Sequence, residues 1–411
     1  MNVRKSATHA RLGTLARRDG ELLVNGIPLS RLAERVGQTP FYAYDRSLIA
    51  ARVAAVRAAL PARVSLHYAI KANPMPAVVG CLRELVDGFD VASHGEMLVA
   101  LDAGMPAREV SFAGPAKQIA ELRAAIAAGI TINCESETEL DRIARLASEL
   151  GVAADVALRV NPAFELKGSG MKMAGSPRQF GIDAERIPAA LQTLHAAGLG
   201  FAGLHIFCGS QNLSAEAIVE ANQRTIELAV TLCDTAPRRP RFVNIGGGYG
   251  IPYFPGEQPL DLTPVGAALD AALAAAPTLA DIEIVVELGR YLVGEAGYYV
   301  TRVSDIKVSQ GHTFVMVDGG LHHHLANSGN FGQVLRKNYP VVVGNKLDQP
   351  TAEAVTVVGP LCTPLDLVAD RMALPAIAVG DFIVVLQSGA YGPTASPQRF
   401  LGHPAAAEVL V

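Results

Sequence analysis

Apolar residues follow two alternating spacings along the middle of the chain. From about residue 46, segments with apolar residues at helical spacing are each followed by a short apolar run typical of a buried strand. The first pair is the helical "DRSLIAARVAAVRAAL" and the strand "VSLHYAI". The later strands are "GFDVAS", "EVSFAG", "ITINCE", "ADVALRV", "FAGLHIFCG", "RFVNIGG" and "IEIVVELG". Eight strands separated by helices, over roughly 250 residues, predict an α/β fold. The specific prediction is a (β/α)8 barrel with one extra helix before its first strand.

The alternation stops near residue 295. Short β-branched runs bounded by Gly, Pro and Asn follow, among them "YPVVVGN", "EAVTVVGPLC" and "GDFIVVLQSGAYG", and they predict an antiparallel β domain. The segment "GELLVNGIPLS" contains an Asn-Gly pair typical of a hairpin, so the N-terminal residues are expected to add strands to that domain. We therefore predict a barrel over residues 44–295 and a β domain formed by residues 1–43 and 296–411. An open doubly wound sheet has the same local alternation and is the alternative architecture.

Composition narrows the classes of partner. The chain has 411 residues, half of them hydrophobic, and a net charge of −4, which gives no electrostatic reason to expect nucleic acid or a membrane surface. No apolar run approaches the length of a transmembrane span, and the basic N-terminus lacks the apolar segment of a secretory signal. The five cysteines are scattered without a C-x-x-C pair. These features predict a cytoplasmic protein with reduced thiols.

Polar residues stand where several of the predicted strands end. Lys71 follows the first strand, His94 the second and Glu135 the fourth, while His205 lies in the sixth and Arg290 follows the eighth. Active sites of such barrels form at the carboxyl ends of the strands, so these side chains are expected to share one rim. Each residue alone has an ordinary explanation: a loop lysine at the surface, or a packed core histidine.

The seventh strand ends in a glycine-rich turn, residues 246–250. It does not match G-x-G-x-x-G, because Ile251 or Tyr253 would occupy the last glycine position, so the dinucleotide fingerprint is excluded. A turn of this kind can bring backbone N–H groups close to a phosphate, although it can also be a tight turn without a ligand. A lysine that forms an imine with an aldehyde, together with a phosphate site, indicates pyridoxal 5′-phosphate. Glu287 would keep the ring nitrogen of that cofactor protonated.

Seven motifs then occur in the order typical of one family. They are "YAIKANP", "FDVASHGE", "GLHIFCGSQ", "NIGGGYG", "ELGR", "GPLCTPLD" and "SGAYG". Over nearly its whole length the chain resembles the fold type III pyridoxal-phosphate decarboxylases, the group of ornithine and diaminopimelate decarboxylases, whose barrel is alanine racemase-like. The resemblance implies an amino-acid decarboxylase that acts as a homodimer with shared active sites.

The resemblance also implies roles for individual residues. Lys71 would form the Schiff base with the cofactor, and Cys362 of the partner subunit would protonate the α-carbon after carbon dioxide leaves. His205 would lie against the cofactor ring, and Glu287 would pair with its nitrogen. The other cofactor-binding residues implied by the motifs are Ser210, Gly247, Gly248, Gly289, Arg290 and Tyr391.

Two departures from the family pattern concern the substrate. The residue after the catalytic cysteine is acidic in the resembling enzymes and binds the far ammonium of the substrate; here it is Thr363, and a buried ammonium would lose its partner at a cost on the order of 3–5 kcal/mol. Asp366 remains in the motif as a partial substitute.

The segment "DGGLHHHLANSGNFG" has three adjacent histidines where diaminopimelate decarboxylases carry Asn-Asp and a substrate-binding arginine. Neighbours on a strand point to opposite faces, so no metal site is predicted there. His323 is taken as the substrate contact. A milder departure is Leu288, where the family has proline.

The motifs "CTPLD" and "GLHHHLA" resemble a narrower branch, the decarboxylases associated with exosortase systems and those acting on glutamate held by an acyl-carrier protein. The substrate is thus expected to be an amino acid that is tethered to a carrier protein or lacks a distal ammonium. The alternative is diaminopimelate decarboxylase, which makes L-lysine. An amino-acid racemase is disfavoured by Glu287, because racemases hold the ring nitrogen with arginine. A non-catalytic pyridoxal-binding protein is disfavoured by the "GPLC" and "GAYG" segments of the β domain.

Overall fold

A computed structural model describes residues 8–10, 15–165, 168, 170–172, 174, 175, 177–331, 333 and 336–411. The chain divides into two compact units: residues 52–251 with 260–291, and residues 1–51 with 252–259 and 292–411. These limits differ by a few residues from the predicted barrel boundaries at 44 and 295. Among the described residues, no helix combines the length and apolar character needed to cross a membrane.

The first unit is a closed barrel of parallel strands. In chain order its strands are Val64–Ala69, Gly88–Val91, Val110–Phe112, Thr131–Cys134, Asp155–Asn161, Gly200–Ile206, Phe242–Gly247 and Glu283–Leu288. The eighth strand pairs with the first, and the fourth pairs with the fifth, so the sheet closes on itself. Closure confirms the predicted (β/α)8 barrel and excludes the open doubly wound sheet. Three short strands, Met171–Lys172, Ile182–Asp183 and Gly209–Ser210, lie outside the barrel cycle.

Helices follow the barrel strands, and each starts at a polar cap where the sequence offers one. The α-helices are Arg46–Ala59, Pro76–Arg83, His94–Asp102, Ile119–Ala128, Glu137–Leu150, Ile187–Ala196, Ala215–Thr235, Thr263–Ala274 and Arg290–Val293. The hydroxyls of Ser93, Ser136 and Ser214 accept the backbone N–H three residues on, while Gly129 and Gly151 end helices in the left-handed region. Such caps satisfy backbone groups that a helix end leaves unpaired. The serine caps fix where the chain turns at the rim of the barrel, and the glycine caps fix where it turns back into the next strand.

The other unit contains a mostly antiparallel sheet. Its strands are Phe41–Tyr44, Gly297–Ser309, His312–Val317, Val341–Val343, Glu353–Val358, Leu367–Leu374, Phe382–Val385 and Ala407–Leu410. This confirms the predicted β domain. The short 3-10 helices of the chain are Ile70–Ala72, Ala107–Glu109, Ala184–Arg186, Pro277–Leu279, Gly294–Ala296, Pro393–Ala395 and Phe400–Gly402.

The N-terminal hairpin forms, but it does not extend that sheet. Glu21–Val24 and Ile27–Pro28 pair across Asn25 and Gly26, which both have positive φ. With Arg17–Arg18 they make a separate three-stranded sheet. The helix Leu29–Val36 follows it, and both pack in one apolar cluster with residues of the large sheet. The N-terminal strand that joins the large sheet is instead Phe41–Tyr44, which pairs with Gly297–Ser309.

Candidate active site

Three of the predicted site residues meet at the barrel rim. Lys71 lies in the 3-10 turn directly after the first strand, with 44% of its side chain exposed. Its Nζ is 3.9 Å from Oε1 of Glu287, which lies on the eighth strand and is only 6% exposed. His205 from the sixth strand donates its Nε2–H to Oε2 of Glu287 at 3.1 Å. The arrangement places an accessible amine beside a buried carboxylate.

The carboxylate of Glu287 is held in its ionised form. Burial alone would raise its pKa, but the hydrogen bond from His205 and the positive charge of Lys71 outweigh burial and lower the pKa to about 2. An ionised carboxylate in this position can stabilise a protonated ring nitrogen. Pyridoxal phosphate needs such a partner to act as an electron sink.

Two residues at this rim, Asn244 and Phe207, were not foreseen from the sequence. The side-chain amide of Asn244 lies 3.5 Å from Oε2 of Glu287, and its carbonyl oxygen accepts the N–H of Gly246 at 2.8 Å. Asn244 therefore links the carboxylate to the glycine turn. The polar residue in the apolar run "RFVNIGG" was the signal that could have identified it. The ring centroid of Phe207 lies 5.4 Å from Nζ of Lys71.

The glycine turn packs closely against the segment that follows the sixth strand. Gly248 has φ +71°, and a Cβ there would lie 2.0 Å from the carbonyl oxygen of Gly209. The N–H of Asn212 donates to the carbonyl of Gly248 at 3.0 Å, and Ser210 adjoins the same contact. A side chain at Gly247 would meet the backbone of Glu287 at 2.4 Å. Both positions therefore require glycine, and a turn of glycines can present its backbone N–H groups to a phosphate.

Replacing Gly248 with alanine is expected to weaken pyridoxal phosphate binding by about 10- to 100-fold, because the left-handed backbone and the contact with Gly209 both oppose a Cβ. Equilibrium dialysis of the cofactor measures the change. Gly198→Ala is the matched control, since Gly198 has φ +70° but no atom within 4 Å of an added Cβ. Equal cofactor affinity in the two variants would contradict a cradle at this turn.

Glu135, one of the rim residues identified from the sequence, serves a different purpose. Its Oε1 accepts hydrogen bonds from Arg159 at 2.8 Å and from the N–H of Gly114 at 2.6 Å. Only 3% of its side chain is exposed. Nearby, Nζ of Lys117 is 2.8 Å from Glu139. Each buried carboxylate is paired with a cation of the protein, so both pairs hold the rim together rather than offering groups to a ligand.

The remaining predicted residues lie at two places. Gly289 and Arg290 follow the eighth strand, where Arg290 starts a short helix. Tyr391, with φ +54°, lies in the β unit, as do Cys362, Thr363, Asp366 and His323. Cys362 is exposed, whereas Asp366 and His323 are buried. Among the described residues, no three His, Cys, Asp or Glu side chains are grouped so as to hold a metal ion.

The rim has the functional groups that pyridoxal phosphate requires. Lys71 supplies an amine for its aldehyde, Glu287 an ionised carboxylate for its nitrogen, and the Gly247–Gly248 turn backbone N–H groups at positions where packing excludes side chains. The residues present therefore fit this cofactor.

Comparison with known proteins agrees with the geometry. Residues 46–294 match the family described as pyridoxal-dependent decarboxylase, pyridoxal binding domain. The chain is 37% identical over 380 residues to the L-glutamyl-[BtrI acyl-carrier protein] decarboxylase of Niallia circulans, covering 91% of this chain and 89% of that protein. It is 32% identical over 397 residues to the diaminopimelate decarboxylase of Aquifex aeolicus, covering 96% and 91%. The solved structure of diaminopimelate decarboxylase from Helicobacter pylori complexed with L-lysine aligns with a TM-score of 0.83 at 28% identity, covering 93% of this chain and 94% of that one. The chain belongs to the pyridoxal-phosphate-dependent decarboxylase family that its motifs predicted.

Proposed function

We propose that this enzyme decarboxylates an amino acid whose far end carries no ammonium group, and that a glutamyl group held on an acyl-carrier protein is its first candidate substrate. The observation that carries the proposal is Thr363, which follows Cys362 where the family has a carboxylate. The similarity to the carrier-protein glutamyl decarboxylase of Niallia circulans supports it.

The carboxylate of Asp366, three residues after Thr363, already binds groups of the protein. Asp366 accepts the N–H of Leu321 on Oδ1 at 2.7 Å and the N–H of Leu361 on Oδ2 at 2.8 Å. This carboxylate cannot move to an incoming ammonium without leaving buried N–H groups unpaired. Asp366 thus has a positioning role, and the partial substitution first considered for it is disfavoured.

The reaction itself defines how a carrier-held glutamate is attached. The carboxylate that leaves is the one next to the amine, so it must be free. The tether must then use the side-chain carboxyl, which becomes an uncharged thioester carbonyl. A substrate of this kind presents no charge at its far end, in agreement with Thr363.

The catalytic roles are assigned as follows. Pyridoxal phosphate, when bound, supplies an electron-withdrawing ring that stabilises the negative charge left on the α-carbon. Lys71 would hold the cofactor through its amine, and Glu287 would keep the ring nitrogen protonated. His205 would line the ring site beside Glu287. Ser210, Gly247, Gly248, Gly289, Arg290 and Tyr391 would bind the phosphate. The thiol of Cys362, from the partner subunit, delivers a proton to the α-carbon.

Replacing Thr363 with glutamate is expected to shift specificity toward meso-diaminopimelate. A new carboxylate beside Cys362 would pair with the far ammonium, and the ratio of kcat/KM for diaminopimelate to that for γ-glutamyl thioester should rise by about tenfold or more. Carbon dioxide release from each substrate gives the ratio. Thr363→Gln has the same length without charge and should not produce the shift. An unchanged ratio in both variants would contradict this assignment of the specificity position.

We further propose a homodimer in which each active site uses residues of both subunits. Phe331 and Leu365 are large apolar side chains exposed on the β unit. Asn330 donates a hydrogen bond to the carbonyl of Leu365, so these two side chains stand on neighbouring segments. Leu365 is three residues from the exposed Cys362, and apolar side chains at this place favour burial against a second copy. We also propose that the protein is cytoplasmic.

Subunit mixing tests the shared site. Lys71→Ala and Cys362→Ala are each expected to be nearly inactive, but co-refolded in equal amounts they should regain about one quarter of wild-type activity, because half of the dimers are mixed and each has one intact site of two. Each variant refolded alone is the control. A mixture no more active than its components would show that both residues act within one subunit.

A further inference from the structure

The three histidines of residues 322–324 differ in their hydrogen bonds. Nδ1 of His323 lies 3.2 Å from the Tyr299 hydroxyl and its Nε2 is 2.8 Å from the Pro404 carbonyl. His324 places Nε2 3.0 Å from the hydroxyl of Ser388. Both rings are therefore tied to the protein. His323, the substrate contact predicted from the sequence, has no ring nitrogen available for a ligand in this arrangement.

His322 is the exception in this set. Its side chain is completely buried, and neither ring nitrogen has a hydrogen-bond partner among the described residues. Desolvation, together with His323 and His403, lowers its pKa to about 3, so the imidazole is neutral. A buried polar ring with no hydrogen-bond partner destabilises the protein and requires an explanation. One explanation is that a ligand completes its hydrogen bonds.

Asp366 places this histidine close to the predicted proton donor. Its two oxygens bind the N–H groups of Leu321 and Leu361, the residues directly before His322 and Cys362. Asp366 is 2% exposed, and added Cβ atoms at Gly320 and Gly359 would meet it at 2.1 and 2.3 Å. One buried carboxylate thus fixes the histidine segment against the Cys362 segment.

The rings of His403 and His323 both pack against the ring of His322. The centroid of His403 lies 5.1 Å from that of His322 and the centroid of His323 lies 3.7 Å from it, both rings being tilted by about 45°. His403 is half-buried and lies two residues after Leu401, an exposed residue with φ +56°, a conformation that L residues rarely adopt. Of the two rings that pack on His322, His403 is the one on a strained surface segment, so it is the one that a ligand would displace.

We propose that His322 donates a hydrogen bond to the uncharged carbonyl at the far end of the substrate after the ring of His403 turns aside. This inference rests on the proposed function and assigns a specificity residue to it. A neutral imidazole offers one donor and one acceptor, which suits a thioester or amide carbonyl. It offers no counter-charge to the side-chain carboxylate of free glutamate, which would be buried with only a neutral hydrogen-bond donor. His322 therefore selects the tethered form over the free amino acid.

The first test compares two probes on the cofactor-loaded enzyme: the γ-glutamyl thioester of pantetheine and free L-glutamate. His322→Phe keeps a flat ring without the donor, and the ratio of kcat/KM for thioester to that for glutamate should fall about tenfold, chiefly through KM. His322→Asn restores an N–H donor and should recover most of the ratio. A ratio unchanged in His322→Phe overturns the inference. A wild-type enzyme that turns over diaminopimelate but neither probe overturns the proposed function as well.

A second test does not depend on turnover. Diethyl pyrocarbonate acylates accessible neutral imidazoles, and peptide mass spectrometry locates the modified ring. His322 should react slowly in the wild-type protein and at least about tenfold faster in His403→Ala, while His324, bonded to Ser388, stays protected in both. Unchanged protection of His322 in His403→Ala would show that His403 is not its cover and would overturn the proposed access.

Discussion

Replacing Lys71 with alanine will leave a folded protein that no longer attaches its cofactor covalently and releases carbon dioxide at least about 1000-fold more slowly. The reason is that the only amine placed beside the buried Glu287 carboxylate at this rim, among the described residues, is the Lys71 Nζ at 3.9 Å. Borohydride reduction followed by peptide mass spectrometry measures attachment: the wild-type protein should carry the cofactor mass on the Lys71 peptide, and the variant should carry none.

The variant Lys71→Arg distinguishes the need for an amine that forms an imine from the need for a positive charge. A guanidinium keeps a positive charge near Glu287 but cannot condense with an aldehyde. Its attachment and its rate should therefore fall as far as those of the alanine variant. Wild-type attachment in either variant, at Lys117 for example, would refute the assignment of Lys71.

Replacing Glu287 with glutamine is expected to lower kcat for carbon dioxide release by about 100- to 1000-fold, while the cofactor remains attached to Lys71. The hydrogen bond from His205 and the charge of Lys71 hold the pKa of Glu287 at about 2, so this carboxylate is ionised throughout the working range. An amide has the same shape but no charge to keep the ring nitrogen protonated.

Glu283→Gln is the control for that experiment. Glu283 begins the same strand and bonds the hydroxyl of Ser65, far along the strand from the Lys71 turn. Its replacement should leave kcat close to the wild-type value. If Glu287→Gln also stays within about threefold of wild type, the electron-sink role of this carboxylate is wrong.

Local patterns were sufficient for the barrel and for its cofactor rim. Helical and strand periodicities are short-range signals, and the eight alternations that they indicated favoured a closed barrel, while the pairing of the fourth strand with the fifth excluded the open sheet. Lys71, His205 and Glu287 were predicted to share a rim because the carboxyl ends of parallel strands meet there, and the structure brings them within hydrogen-bonding or ion-pair distance.

Features that depend on distant partners could not be predicted. Phe41–Tyr44 has the pattern of any strand, but its partner in the β sheet is Gly297–Ser309. Glu135 stood at a strand end like a catalytic residue, yet Arg159 on the next strand neutralises it. The sequence could not show which histidine lacks a partner, because Tyr299 and Pro404 decide that for His323.

The most direct test of the account is a competition assay with the wild-type, cofactor-loaded enzyme. Glutamate tethered through its side chain to an acyl-carrier protein and meso-diaminopimelate are offered at equal concentration, and carbon dioxide from each is distinguished by a carbon isotope label. We predict that release from the tethered glutamate exceeds release from diaminopimelate by at least about 100-fold, because Thr363 at the proposed specificity position would leave the far ammonium unpaired. Faster release from diaminopimelate would contradict the proposed specificity and would make Thr363 a tolerated substitution in a diaminopimelate decarboxylase.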